Sequence, residues 1–339
     1  MSSQPIYQDV IAPNTHLRHR KPIIERLQKK LDGKLIVYTA SPFHPLAQIM
    51  IQDVPTFEDM LRSTKGQEKG FLMLNSLGGN ANAAEKLLKM CRQRFSNEFN
   101  VIVPDYAKSA ATMLALGADK ILMGYLAELG PVDPQITTGT HAIPARSFID
   151  GLEIIRQNVR VKGDPVELYF PMLNQISPQV LAICNSAIDG SRDFVRNWLQ
   201  QYMLKHDPKQ AGLVAKWLPE GKEYKSHGKV IDYTEAHDIL KLNVERIDPK
   251  SDLWNDIWEL YCRSIAYLNA NQGQGAAKLF ESESVSLVLN LKPVVQRPQQ
   301  RVQPQTPKIR KIPFQRPTPK PQQPTKKSPQ TQPPKTKRS

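Results

Sequence analysis

The chain is poor in cysteine, with three in 339 residues, and none lies near another: Cys91, Cys184 and Cys262 form no CxxC pair. That spacing gives neither a zinc-ribbon motif nor a disulfide framework. Long apolar runs are missing too. No stretch of about 18 apolar residues occurs, the length that marks a membrane-spanning helix. The opening stretch MSSQPIYQDVIAPNTHLRHRK holds no apolar core of signal-peptide length. The expectation is a soluble cytoplasmic protein with free thiols, no integral membrane segment, no cofactor and no metal.

Acidic residues are absent from the end of the chain. Residues 290–339 carry 13 Lys/Arg, no Asp/Glu, no glycine and 12 of the 28 prolines. That leaves 33 basic and 32 acidic residues for positions 1–289, so the formal net charge of +14 belongs to the tail. A basic isoelectric point therefore says nothing about the body, and a nucleic-acid role falls to the tail alone. A segment this rich in Pro, Gln, Thr and Lys buries too little apolar surface to offset its ordering entropy. It is expected to be disordered. Its RPTPKPQQP stretch offers PxxP spacing to an aromatic-lined protein groove, and its charge suits nucleic acid or anionic lipid. A solubilising linker has the same composition.

What the body does contain is periodic apolar patterning. Ile23, Ile24, Leu27 and Leu31 fall on one face of a helix over 22–31, with Pro22 in its first turn. Residues 35–40 (LIVYTA) read as a buried strand and 55–63 as a helix. Strands follow at 70–76, 99–105 and 120–124, separated by helices over 81–95 and 109–116. That order predicts a parallel sheet with right-handed crossovers. Beyond 144 helices dominate, at 144–158, 165–174, 178–204, 209–217, 234–241 and 251–271. Residues 285–291 (VSLVLNL) read as a last strand or as a stretch that pairs with another chain.

Two loops end neighbouring strands at the edge where open parallel sheets place their ligands. The first is Asn75-Ser76-Leu77-Gly78-Gly79-Asn80 and the second Asp105-Tyr106-Ala107-Lys108-Ser109-Ala110-Ala111. Paired glycines let the backbone turn sharply and aim N–H groups at a developing oxyanion. Ser109 falls where a strand turns into a helix, with its hydroxyl exposed and a helix N-terminus behind it. Small residues at 110 and 111 admit a substrate backbone, and the Ala110 N–H is a second donor. A Gly-Gly turn alone is ordinarily only a turn, and a serine opening a helix is ordinarily an N-cap. Their pairing on adjacent strands points to a nucleophile and an oxyanion hole, although GxSxG is absent.

NSLGGNANAAEKL, VIVPDYAKSAATMLALGADKILM, LGPVDPQ and IPARSFI together resemble the serine dehydrogenase proteinase family. That family is similar in fold to the Clp protease proteolytic subunit and signal peptide peptidase A. KSHGKVIDYTEAHDILKLNV resembles a later element of the same family, so the likeness runs over roughly residues 30–270. The resemblance implies an α/β, Clp/crotonase-like ββα-repeat fold with a parallel sheet core and a helical C-terminal half. That domain spans 31–290, between an N-terminal helical arm (1–30) and the disordered basic Pro-rich tail (291–339). It implies a serine endopeptidase acting on a peptide or protein substrate through an acyl-enzyme at Ser109, with Gly78 and Ala110 lending the oxyanion N–H groups. Leu77 departs from the family's pattern, where proline is usual; the turn is looser without that fixed φ. Relatives assemble, so a homo-oligomer is expected, with 285–291 and the 251–271 helix (Leu253, Ile257, Leu260, Ile265) as contacts.

A serine hydroxyl needs a proton acceptor. The Clp subunit has a histidine shortly after its serine; the corresponding LGPVDP contains none. Signal peptide peptidases use a lysine on a later helix. The candidates here are Lys162, in RVKGDP, and His141, in TTGTHAIPA. Lys108 adjoins Ser109 and points elsewhere, Lys120 lies at the far end of a crossover, and Arg146 and Arg156 cannot give up their protons. His227 belongs to another segment. Asp105 and Asp133 could orient a base or fix loops. Two other readings stand beside the peptidase: an inactive peptidase-fold scaffold working through its tail, and a crotonase-type acyl-CoA enzyme, for which no paired Glu sits near Gly78, since Glu85 turns into a helix.

Overall fold

The computed structural model describes residues 17–64, 68–138, 141–174, 176–220 and 228–291. The chain divides into a compact unit, Met1–Pro293, and a second unit, Val294–Ser339, which lies outside the described residues, as does His227.

The first half alternates strand and helix: α1 (Leu17–Leu31), β1 (Lys34–Ala40), α2 (Asp53–Arg62), β2 (Lys69–Asn75), α3 (Ala81–Arg94), β3 (Glu98–Val103), β4 (Tyr106–Ala107), α4 (Ala110–Leu116) and β5 (Lys120–Met123). The second half holds β6 (Glu128–Leu129), β7 (Gln135–Thr138), β8 (His141–Pro144), α5 (Ala145–Gln157), α6 (Phe170–Leu173), α7 (Pro178–Gln201), α8 (Pro208–Glu220), β9 (Val244–Arg246), α9 (Asp252–Ala270), β10 (Ala276–Glu281) and β11 (Ser286–Asn290). The central sheet runs β11-β10-β1-β2-β3-β5-β9. All pairings from β1 to β9 are parallel, and the β10–β11 hairpin adds an antiparallel edge.

Both faces of this sheet are covered, which is why its strands read as near-continuous apolar runs. On one face Phe57, Met60, Leu87 and Leu88 of α2 and α3, with Phe95 just past α3, pack on Ile36, Leu72, Val101 and Ile121. On the other, Ile23, Ile24 and Leu27 of α1 meet Ile257 and Leu260 of α9 over Leu35, Val37 and Met73. Each buried aliphatic side chain contributes about 1.5–3 kcal/mol. The expected 1–30 arm thus packs, over its described part, as a layer of the same unit. The apolar side of α9 is likewise taken: Ile257, Leu260 and Ile265 are buried within the chain. The expectation that they meet a second copy is corrected, because α1 already covers them.

Other differences come from long-range pairing. Around TTGTHAIPA, where a loop is expected, residues 135–138 and 141–144 pair as antiparallel strands β7 and β8. The expected 165–174 helix is a short 3-10 turn, Val166–Tyr169, and a single turn, α6, with Pro171 near its start. The 234–241 helix is a π-helical turn, Glu235–Ile239. Within 285–291, Ser286–Asn290 form β11, seated on β10 of the same chain. No helix among the described residues is long and apolar enough to cross a membrane.

Candidate active site

The ends of β1, β2 and β3 deliver three loops to one edge of the sheet. The second and third are zipped together. Ser76 N–H donates to the Tyr106 carbonyl at 3.1 Å, and Lys108 N–H donates to the Ser76 carbonyl at 3.0 Å. Ser76 and Ala107 form a parallel bridge. This brings the Gly78 turn against Ser109.

Gly78 sits at φ +99°, where a side chain is strained. A Cβ there would lie 2.5 Å from the Lys108 carbonyl oxygen and 2.8 Å from Ser109 Cβ, so only glycine fits. A second clamp comes from the first loop. Ile49 N–H donates to the Gly78 carbonyl at 2.8 Å, and Asn80 N–H donates to the Ile49 carbonyl at 2.8 Å. Asn80 then caps α3, its Oδ1 accepting from Ala83 N–H at 2.8 Å.

Ser109 precedes α4 at φ 51°, ψ −119°, a conformation that L-residues rarely adopt. It occupies the N-cap position of α4, its carbonyl accepting from Met113 N–H at 3.0 Å, but its side chain makes no capping bond. Ser109 Oγ makes no hydrogen bond among the described residues, and the residue lines a cleft of about 820 Å³. The α4 helix is only seven residues long, so local N–H groups matter more here than a helix dipole. The Ala110 N–H has no acceptor among the described residues. The Gly78 N–H donates to Ser76 Oγ at 3.1 Å, while Gly79 N–H has no acceptor there.

Lys108 is turned away from Ser109, as expected. Its Nζ donates to Glu128 Oε2 at 2.5 Å and to the Leu129 carbonyl at 3.1 Å. Thr112 Oγ1 donates to the Ala107 carbonyl at 2.6 Å and accepts from Gly130 N–H at 3.0 Å, locking the same turn from below. Tyr106 sits under the turn, and burial pushes its phenol up to about 12.

The two candidate bases are placed differently. Lys162 ends the π-helical turn Asn158–Lys162 that continues α5; it is exposed and absent from the described cleft lining. A lysine needs burial to act as a base near neutral pH, and this one has none in the structure. His141 opens β8, next to Ala142, which lines the cleft with Gln135 and Thr137; its side chain lies outside the described residues. Lys120 pairs with Glu245 at 2.8 Å, Arg146 with Asp150 at 2.7 Å and Glu85 with Lys89 at 2.8 Å. Asp105 accepts from Tyr261 OH at 2.5 Å, and Asp133 Oδ2 accepts from Gln135 Nε2 at 2.8 Å. Both therefore fix neighbouring segments. No group of three metal-ligating side chains occurs among the described residues.

His44, which sequence reasoning passed over, lines the same cleft. Its signal was its place: SPFHPLAQ follows a strand and reaches the same sheet edge as the two loops singled out. No Asp, Glu, Lys or Arg is among the described lining residues.

Comparison with known proteins adds the following. A family model described as ClpP-like SDH-type serine proteinase matches residues 15–266. Two uncharacterised proteins of Methanocaldococcus jannaschii are similar. MJ0137 is 28% identical over 242 residues, covering 68% of this chain and 76% of that protein. MJ1495 is 29% identical over 176 residues, covering 51% of this chain and 52% of its own length. Among solved structures, the 1510-N membrane-bound stomatin-specific protease is similar as a lysine-to-alanine variant in complex with a substrate peptide. It is 15% identical, covers 72% of this chain and 83% of its own, and has a TM-score of 0.39. A ClpP1 variant from Listeria monocytogenes is 14% identical, covering 67% and 99% respectively, with a TM-score of 0.33.

Proposed function

The chain belongs to the family of ClpP-like serine proteinases of the serine dehydrogenase type, and from that premise we propose that it is a serine endopeptidase working through an acyl-enzyme at Ser109. Ser109 Oγ attacks a peptide carbonyl while its proton passes to a base. The Ala110 N–H and the Gly78 N–H, shared with Ser76 Oγ, hold the resulting oxyanion. The protonated base then gives its proton to the leaving amine, and water hydrolyses the ester by the reverse sequence.

The observation that carries this reading is the strained backbone of Ser109, a cleft-lining residue whose hydroxyl has no hydrogen-bond partner among the described residues and which adjoins a glycine that nothing can replace. Strain of this kind costs of the order of 1–3 kcal/mol and persists where function holds it. The uncharged described lining suits a neutral stretch of an unfolded chain. The proton acceptor is His141 or Lys162. His141 has the advantage of position, on the hairpin that forms one wall.

Cleavage of fluorescein-labelled casein tests the proposal. Wild-type protein releases fluorescent peptides and Ser109→Ala does not. His141→Ala and Lys162→Ala then identify the base, the residue in that role losing about 10²–10⁴-fold in rate. Equal turnover by wild type and Ser109→Ala would refute the proposal. A second reading is favoured by one fact: Ser109 Oγ has no hydrogen-bond partner among the described residues. An inactive scaffold with this fold would bind casein without cutting it.

A further inference from the structure

His44 stands in the loop between β1 and the Ile49–Gly79 bridge, and its side chain is held in one setting. The residue is 8% exposed. Its carbonyl accepts from Ala47 N–H at 3.0 Å, and its ring Nδ1 accepts from Leu46 N–H at 3.1 Å. A ring nitrogen that accepts carries no hydrogen, so the ring proton lies on Nε2. Nε2 has no hydrogen-bond partner among the described residues. Nor is it sealed in the core, for it is not among the buried polar atoms cut off from solvent. The residue lines the Ser109 cleft, the open space beside it that a solvent-accessible Nε2–H is inferred to meet.

A nearly buried imidazole with one nitrogen satisfied and the other left open is a donor in want of an acceptor. Once a bound peptide displaces water from the cleft, a donor left without an acceptor is costly, and a peptide carbonyl removes that cost. The polar side chains that share the described lining are Ser41, Gln48, Asn80, Ser109, Gln135 and Thr137, all neutral. The bond from Leu46 also sets the tautomer: the ring's lone pair is on Nδ1, engaged by the loop backbone, and its hydrogen is on Nε2. As arranged, His44 gives a hydrogen bond to a ligand rather than taking the proton of Ser109.

We infer that His44 is a substrate-positioning residue whose Nε2–H donates to a carbonyl oxygen of the bound peptide, across the cleft from the β7–β8 wall. The nature of the ligand rests on the peptidase reading; the donor does not.

Binding, measured apart from turnover, separates the two. Fluorescein-labelled casein is titrated with Ser109→Ala protein and followed by anisotropy, alone and with a second change at position 44. Asparagine at 44 can still accept from Leu46 N–H, mimicking Nδ1, but places no donor in the cleft. Glutamine places its amide N–H near the position of Nε2 and gives up the Leu46 bond. The expected result is about tenfold weaker binding for His44→Asn, some 1.4 kcal/mol, and binding within twofold of the parent for His44→Gln. The opposite order would make His44 a brace for its turn and overturn the inference. Equal binding by all three, or no binding by the parent, would also overturn it. If the expected order is found while wild-type protein leaves casein uncut, the peptidase reading fails and the role of His44 stands.

Discussion

Lys278 Nζ lies 2.6 Å from Asp53 Oδ1, and neither side chain touches solvent. The other carboxylate oxygen of Asp53 accepts from Tyr38 OH at 2.9 Å and from Met50 N–H at 3.0 Å. Burial lowers the Lys278 pKa, and the neighbouring Asp53 only partly offsets that. This network ties β10 to the start of α2. Through Met50 it reaches Ile49, whose backbone holds Gly78 and Asn80. A buried ion pair of this kind is costly to break from one side. Lys278→Met should destabilise the protein by about 3–5 kcal/mol in urea unfolding. Asp53→Asn with Lys278→Met should lose much less than the two single changes summed. Additive losses would show that the two charges are not coupled.

Gly78→Ala should abolish Ser109 reactivity. The added Cβ meets the Lys108 carbonyl and Ser109 Cβ, and both belong to the nucleophile's own turn. The expected pattern is casein turnover reduced by 10² or more, following the loss of an oxyanion donor, with a melting temperature that falls modestly. An active Gly78→Ala protein would mean that the turn is not part of the site.

Ser109→Gly should stabilise the fold while removing activity. Glycine adopts φ 51°, ψ −119° readily, whereas serine is strained there. The gain should be about 1 kcal/mol, read as a higher urea midpoint. A Ser109→Gly protein less stable than Ser109→Ala would contradict the strain.

The docking of α1 on α9 should weaken in acid. Burial raises the Asp256 pKa, but hydrogen bonds and charge from Arg26 and Lys30 outweigh it, leaving the carboxyl below its ordinary value of 3.8. A depressed folded-state pKa gives stability that is full above the unfolded value and is lost as pH falls through the folded one. Asp256→Asn should therefore lower the melting temperature at pH 7 by an amount matching about 1 kcal/mol, the partners being partly exposed. The gap should close below about pH 4. A gap unchanged at low pH would exclude the ion pairs as its cause.

The sequence made the parallel core legible because buried strands there are short apolar runs set between amphipathic helices. It made the juxtaposition of Ser109 and Gly78 at one sheet edge legible because both sit on turns that follow neighbouring strands. It hid β10. Residues 276–281 (AAKLFE) carry Lys278 and Glu281, which no local pattern would bury. Their partners, Asp53 and Arg20, lie 225 and 261 residues away along the chain. The β7–β8 hairpin was hidden for a related reason: four-residue strands carry too little alternation to be seen. His44 was missed because its place in the cleft comes from a loop fold that only tertiary contacts define.

The central claim is that Ser109 is a reactive nucleophile. The most direct measurement is labelling of the full chain with a fluorophosphonate, followed by peptide mass spectrometry. The account predicts one adduct, on the peptide holding Ser109, and none in Ser109→Ala. An unlabelled wild type, or an adduct on another serine, would contradict it.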